Sequence, residues 1–285
     1  MPLWYDEVFE GNARFGLKVG KTLYSERSAF QTIEIFETER FGRTLALDGI
    51  YQTSEADEFY YHEMLVQPAL VTAPAIRRVL LIGGGDGGSA REILRHPEVE
   101  QLVMVELDSM VVEASRRYLP TIGSAWEDPR LEVRFEDGIA YAAACNEPFD
   151  VILIDGPDPL GPAVGLFESS FYTDCERLLG EHGVLAQQTE SPVFMPRDFY
   201  RIVRTLRDVF VCADPYFGPV PVYASSLWSY TYASSGLDPK AINTARAERI
   251  EPHMRYYTTE IHRAAFALPR EIQKKLDAGQ SRVSA

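Results

Sequence analysis

Residues 79–90, Val79-Leu80-Leu81-Ile82-Gly83-Gly84-Gly85-Asp86-Gly87-Gly88-Ser89-Ala90, narrow the choice of fold more than any other stretch of the chain. Four apolar residues read as a buried strand. Five glycines around one aspartate follow, and Ser89 to His96 is compatible with a helix. A strand that breaks at glycines and re-enters a helix lets a ligand press against bare backbone. The start of the following helix adds unpaired N–H groups. The aspartate changes the chemistry, because a carboxylate at 86 would repel a pyrophosphate. The loop therefore suits a ligand with a positive end.

From Val79 onward the pattern alternates between strand and helix. Strands are expected at Val79–Ile82, Leu102–Glu106, Leu131–Phe135, Asp150–Ile154 and Gly183–Gln187, with helices at 88–96, 109–118, 138–145, 168–180 and 196–210. The last helix is the cleanest: Pro196 stands where a first turn tolerates it, and Phe199, Ile202, Val203, Leu206 and Phe210 form one apolar stripe. Such alternation predicts an open, mostly parallel sheet with helices on both faces. Two more strands, Val211–Phe217 and Leu227–Ser234, follow without an intervening helix, which predicts an antiparallel edge as in methyltransferase-type, Rossmann-like sheets. The fold class is thus α/β.

Residues 1–65 read differently, as a small N-terminal antiparallel β-domain of four to six strands. Phe15, Leu17 and Val19 alternate with polar residues, and Asp48-Gly49 is a hairpin signal between Leu45-Ala46-Leu47 and Ile50-Tyr51-Gln52. A sheet that small needs cover from the larger domain or from another subunit. Ser54 to Leu65 turns helical, and Pro68 and Pro74 bracket a linker-like passage into the second domain, 66–285. Residues 236–285 are polar with some helix, and Ser281–Ala285 reads as a frayed end.

In an open α/β sheet, ligands bind outside the carboxyl ends of the strands, and here an acid stands at nearly every such end. Asp86 follows the first strand, Glu106 closes the second, and Asp137 follows the third. Asp155 and Asp158 follow the fourth, and Glu190 the fifth. Glu106 lies at the offset from the glycine loop at which an acid accepts hydrogen bonds from ribose hydroxyls. An acid after a strand can equally be the N-cap of the next helix. That is an alternative for Asp137, and Asp108 is the better cap for the helix starting at 109. Asp155 is harder to explain as a cap, because Asp155-Gly156-Pro157-Asp158-Pro159 does not start a helix at once. Together the six acids form a rim suited to a polycation plus a nucleoside.

The net charge of −14 argues against nucleic acid and anionic membrane as partners and is compatible with a cationic ligand. Cys145, Cys175 and Cys212 are far apart and form no CxxC, so neither a disulfide framework nor a zinc site is expected. The five histidines show no metal-binding spacing. With no leader-like N-terminus and no apolar run near about 18 residues, a cytoplasmic protein is expected.

These residues resemble the spermidine synthases (polyamine aminopropyltransferases) over almost the whole chain. The resemblance rests on Gln31, Asp57-Glu58-Phe59-Tyr60-Tyr61-His62-Glu63-Met64, the glycine loop, Val105-Glu106-Leu107-Asp108 and Asp137-Gly138. It rests further on Asp155-Gly156-Pro157-Asp158-Pro159-Leu160-Gly161-Pro162, Gln187-Gln188-Thr189-Glu190 and Tyr223-Ala224-Ser225-Ser226-Leu227-Trp228. It implies transfer of an aminopropyl group from decarboxylated S-adenosylmethionine, a co-substrate, to putrescine, giving spermidine and 5′-methylthioadenosine with no cofactor. By matching position, Glu106 and Gln31 would bind the nucleoside, Asp137 and Gly138 the adenine, and Pro162 would line its face. Asp86 would bind the ammonium of the aminopropyl group, and Asp155 would be the general base. Asp158, His62 and Tyr223 would hold the diamine, with Tyr61 and Trp228 lining its alkyl tunnel. A homodimer or homotetramer is expected.

Two positions depart from the family. It usually carries Ser-Thr or a similar polar pair where this chain has Gly156-Pro157, so side-chain hydrogen bonds from that pair are missing. It usually carries Gly where this chain has Ser226. Ser226 bears on acceptor length more than on reaction type, while Gly156-Pro157 keeps a non-catalytic reading conceivable. Cadaverine, agmatine or a longer polyamine are alternative acceptors. A methyltransferase using the intact donor and a nicotinamide dehydrogenase share the glycine loop and Glu106, but Asp86 opposes both. A non-catalytic polyamine-binding protein is the remaining rival, opposed by the retention of Asp155, Asp158 and Tyr223.

Overall fold

A computed structural model describes residues 3–9, 11 and 13–280; the expected frayed end at 281–285 lies outside them. Five strands come first: β1 (Leu3–Phe9), β2 (Ala13–Arg27), β3 (Thr32–Thr38), β4 (Gly42–Leu47) and β5 (Ile50–Ser54). They pair in sequence order as an antiparallel sheet. Asp48 and Gly49 both take positive φ, +47° and +91°. Such a pair closes a two-residue hairpin with the right twist, and Asp-Gly adopts it with little strain. The sheet is covered as its size requires. Ile33, Ile35 and Leu45 pack on Val111, Ala114, Leu119 and Ile122, while Phe36 and Tyr51 join the main core.

Helix α1 (Glu58–Thr72) links the two sheets and is buried nearly all round. The linker-like passage expected from Pro68 is instead the last part of this helix. Thr72 Oγ1 donates to the Pro68 carbonyl at 2.6 Å. Burial between two sheets outweighs the proline's lost N–H, which local sequence reasoning could not weigh.

The second sheet contains β6 (Arg78–Gly83), β7 (Gln101–Glu106), β8 (Leu131–Phe135), β9 (Val151–Asp155), β10 (Val184–Gln188), β11 (Cys212–Pro219) and β12 (Leu227–Ser234). The order across it is β11-β12-β10-β9-β6-β7-β8. The five strands from β10 to β8 are mutually parallel. β12 runs antiparallel to both its neighbours and lies between β10 and β11. The reversed strand is therefore one place in from the edge. Helices α2 (Gly88–Leu94), α3 (Ser109–Tyr118), α4 (Gly138–Ala144), α5 (Ser169–Leu179) and α6 (Pro196–Val209) make the crossovers. The chain steps from β6 outward to β8 and then returns to β9 and β10. That reversal opens a crevice at the carboxyl ends of β6 and β9. Three further helices, α7 (Thr244–Ile250), α8 (Thr259–Ala265) and α9 (Arg270–Gln280), follow. No helix among the described residues is long and apolar enough to cross a membrane.

Candidate active site

The crevice is a cavity of about 330 Å3, bounded by the glycine loop, the ends of β7, β8 and β9, the 156–166 loop and the inner edge of the small sheet. All six strand-end acids line it. So do all twelve residues expected to hold ligands: Gln31, Asp86, Glu106, Asp137, Gly138 and Pro162 for the nucleoside, with Tyr61, His62, Asp155, Asp158, Tyr223 and Trp228 for the amine.

Beside Gln31 and Asp108, the Glu106 carboxyl is pushed up to about 7 by burial, against the pull of its hydrogen bond from the Asp108 backbone. That bond measures 2.9 Å. Asp108 caps α3 through the Met110 N–H at 3.1 Å, as the sequence indicated, and also accepts from Gln31 at 3.0 Å and Ser28 at 2.6 Å. The small sheet is thereby tied to the loop that presents Glu106. Asp137 is both things at once. It caps α4 through the Ile139 N–H at 2.8 Å and is exposed to the cavity.

The glycine loop exists to let two strand ends touch. Gly83 has φ +80°, and a Cβ there would lie 2.2 Å from the Asp155 carbonyl oxygen. Gly88 faces His62 so closely that a Cβ would stand 2.2 Å from its ring. Asp86, at the loop's tip, accepts the Gly88 N–H at 2.8 Å and meets His62 Nε2 at 3.2 Å. His62 Nδ1 is held by Glu58 at 2.6 Å, and Glu58 is held in turn by Arg91 at 2.8 Å. Burial pulls the His62 imidazole down, but Asp86 and Glu58 outweigh it and leave it well above its ordinary value. Glu58 is lowered to about 2: burial raises it, but His62 and Arg91 prevail. The ring is therefore an imidazolium locked between two carboxylates.

Asp155, the last residue of β9, lines the crevice. Tyr61 donates to its Oδ1 at 2.8 Å and Ser89 to its Oδ2 at 2.6 Å. Burial raises the carboxyl above its ordinary range; His62 pulls it down, Asp86 pushes it up, and the two hydroxyls pull it down again. One ligand atom from each of His62, Asp86 and Asp155 falls within 4.8 Å of the others. With both His62 nitrogens turned to carboxylates, the trio offers oxygens to an N–H donor and lacks the free imidazole lone pair a metal would take.

The cavity is also lined by aromatic rings and by a second group of acids. Tyr223 and Trp228 meet edge to face, with centroids 4.5 Å apart, and Tyr61 lies 6.2 Å from Tyr223. The Tyr223 hydroxyl donates to the Gln52 carbonyl at 2.7 Å, so its ring is what lines the wall. Asp158, Glu190 and Glu7 line the same cavity, with Glu7 and Glu190 each close to Asp158. Burial raises all three. Glu7 reaches about 8, also pushed by Asp158; Asp158 reaches about 6, partly relieved by Glu190; Glu190 rises well above its ordinary value, with Asp158 contributing. Glu190 holds a strained φ of +71°, and Glu7 Oε2 and Glu190 Oε2 are buried without a hydrogen-bond donor.

Sequence reading missed Glu7, Ser89 and the Glu58–Arg91 support. Glu7 had a signal: in β1 the inward residues are Tyr5, Glu7 and Phe9, an acid between two aromatics on one face. Ser226 is explained by its backbone. It has φ +51°, a conformation glycine takes freely, while its side chain is exposed and outside the cavity lining.

Fold and crevice together define an α/β protein of the methyltransferase-like type, whose crevice is lined by strand-end acids and by aromatic rings. The sequence matches the family described as the spermine/spermidine synthase domain over residues 58–243, and the spermidine synthase tetramerisation domain over 3–55. Among curated proteins it is 44% identical to a polyamine aminopropyltransferase of Thermoanaerobacter sp. (strain X514), covering 97% of this chain and 99% of that one. The corresponding enzyme of Bacillus subtilis (strain 168) is 42% identical, over 95% of this chain and 97% of its own. The crystal structure of a spermidine synthase in complex with the transition-state analogue AdoDATO superimposes with TM-score 0.94 at 39% identity, over 98% and 97% of the two chains. That of spermidine synthase from Thermotoga maritima gives 0.91, also at 39%, over 97% and 96%. The chain belongs to the spermine/spermidine synthase family, the polyamine aminopropyltransferases.

Proposed function

We propose that this enzyme moves the aminopropyl group of decarboxylated S-adenosylmethionine to putrescine, giving spermidine and 5′-methylthioadenosine. The observation that carries this reading is that Asp155 shares one cavity with Asp86 and His62, with the rings of Tyr61, Tyr223 and Trp228, and with a second acid group, Glu7, Asp158 and Glu190. The donor's adenosine lies along Gln31, Glu106, Asp137, Gly138 and Pro162, and its ammonium meets Asp86. The diamine threads past Tyr61, Tyr223 and Trp228, with one nitrogen at Asp155 and the remote ammonium among the three distal acids. A cation there would bring the raised carboxyls back down.

The attacking amine forms a bond to the carbon beside the sulfonium, and the C–S electron pair leaves with sulfur as a neutral thioether, so no acid is needed. The diamine's ammonium groups titrate at roughly 10, as lysine does, so the attacking nitrogen must give up a proton to expose its lone pair. Asp155 takes that proton as the nitrogen moves onto the carbon. Alignment of nitrogen, carbon and sulfur supplies up to about 7–11 kcal/mol in favourable systems. His62, already bonded to two carboxylates, serves by fixing Asp86 rather than by gripping an amine. No cofactor is required beyond the co-substrate, and the protein works in the cytoplasm as a homodimer or homotetramer assembled through its N-terminal sheet.

The test is a panel of putrescine, cadaverine, agmatine and spermidine with decarboxylated donor, reading product mass. Spermidine formed fastest from putrescine is expected. Preference for another amine would change the acceptor, and binding without turnover of any amine would reduce the protein to a polyamine carrier.

A further inference from the structure

We propose that Ser89 is a positioning residue for Asp155, supplying from helix α2 the hydroxyl that the Gly156-Pro157 loop cannot. The inference rests on Asp155 being the base. Ser89 lies in the first turn of α2, is fully buried, and places Oγ 2.6 Å from Asp155 Oδ2. With Tyr61 on Oδ1 at 2.8 Å, the two hydroxyls hold one oxygen each and fix the plane of the carboxylate. On its own loop, Asp155 is followed by a residue with no side chain and then by one with neither N–H nor polar side chain. The hydrogen bond that orients the base therefore arrives from across the strand-end crevice, from a residue just past the glycine loop.

The same glycine loop makes this possible. Gly83 lets the β6 end lie against the Asp155 backbone, and the Gly84 N–H bonds the Asp155 carbonyl at 2.9 Å, so α2 begins within reach of the carboxylate. Relocation back to the loop is sterically open. Gly156 is not among the positive-φ residues, and a Cβ there would meet only the Leu166 Cδ1 atom, at 3.0 Å, the end of a flexible side chain.

Ser89 donates to the ionised form of Asp155, so its loss disfavours that form and the base must titrate higher. The other groups that face Asp155 are Tyr61 and His62 from α1, Asp86 from the glycine loop, Glu106 from β7, and Tyr223 and Tyr230 from the β12 side. None is altered by truncating Ser89. In Ser89→Ala and Ser89→Cys, the acid limb of the kcat/KM–pH profile should move up by about one to two pH units, the usual worth of a hydrogen bond to a buried charge. Above that limb turnover should return close to wild type. Carboxyl 13C titration of the unreacted protein, with the Asp155 signal assigned by its absence in Asp155→Asn, should show the same shift. Adding Gly156→Ser to Ser89→Ala should bring both most of the way back. Unchanged limbs in both single variants, or a carboxyl shift with no kinetic counterpart, would overturn the proposal. Failure of Gly156→Ser to restore the limb would overturn the claim that the two positions substitute for one another. Wild-type turnover in Asp155→Asn would instead sink the base assignment itself, a separate result because the titration needs no turnover.

Discussion

Two carboxylates of the same kind stand in different surroundings. Asp155 is half-buried, raised by desolvation and held by two hydroxyls, a setting suited to receiving a proton. Asp86 is held by the Gly88 backbone N–H and by the His62 ring. Asp155→Asn should lower kcat by about 10^2–10^4-fold, the range for removing a general base. Its affinity for methylthioadenosine should stay within about threefold, since the nucleoside contacts lie elsewhere. A smaller loss of turnover would remove Asp155 from the chemistry. Asp86→Asn should weaken binding of the decarboxylated donor by about 10–100-fold, the worth of one charge-assisted contact. Methylthioadenosine, which lacks the ammonium, should be nearly unaffected; equal losses by calorimetry would reject the role. The strand-end acids were legible in the sequence because the open-sheet rule says where to look. Ser89 and Glu58 were not, since each acts through a partner distant in sequence: 66 residues separate Ser89 from Asp155.

At the scale of elements, the alternation of strand and helix from β6 onward was written plainly in apolar runs and turn residues, and the β4–β5 hairpin in Asp48-Gly49. Two elements were not. The continuation of α1 through Pro68 depends on tertiary burial, and the insertion of β12 between β10 and β11 depends on pairing that no local period reports. The close fit of α1 against α2 is testable at Gly88, where any Cβ overlaps the His62 ring. Gly88→Ala should push the ring off Asp86. We expect a loss of stability of about 1–3 kcal/mol, typical of overpacking. The kcat/KM with decarboxylated donor should fall at least about tenfold, because Asp86 loses its imidazolium. Wild-type melting temperature and rate in this variant would mean that the ring has room and that its place between Glu58 and Asp86 does not matter.

For the molecule as a whole, the small sheet is part of the cavity wall. It contributes Glu7 to the acidic corner made otherwise by Asp158 and Glu190 of the large sheet's loops. Clustering three carboxyls where burial raises each of them costs the fold stability. Glu7 rises from 4.5 to about 8, and Asp158 from 3.8 to about 6. A carboxyl whose folded value lies above its unfolded one favours the native state in full below the unfolded value, and that contribution is lost as pH rises through the folded one. The stability of the unliganded enzyme attributable to this corner should therefore decline between about pH 4 and pH 8. Glu7→Gln removes one ionisation while keeping the shape. At pH 4 it should melt with the wild type, and at pH 8 it should be more stable by on the order of 1–3 kcal/mol. The same variant should bind putrescine about tenfold more weakly, because the remote ammonium loses one of the carboxylates that compensate it. A stability gap independent of pH would show that Glu7 does not titrate in this range. Unchanged putrescine affinity would show that the corner is a structural acid cluster and that the far end of the acceptor lies elsewhere.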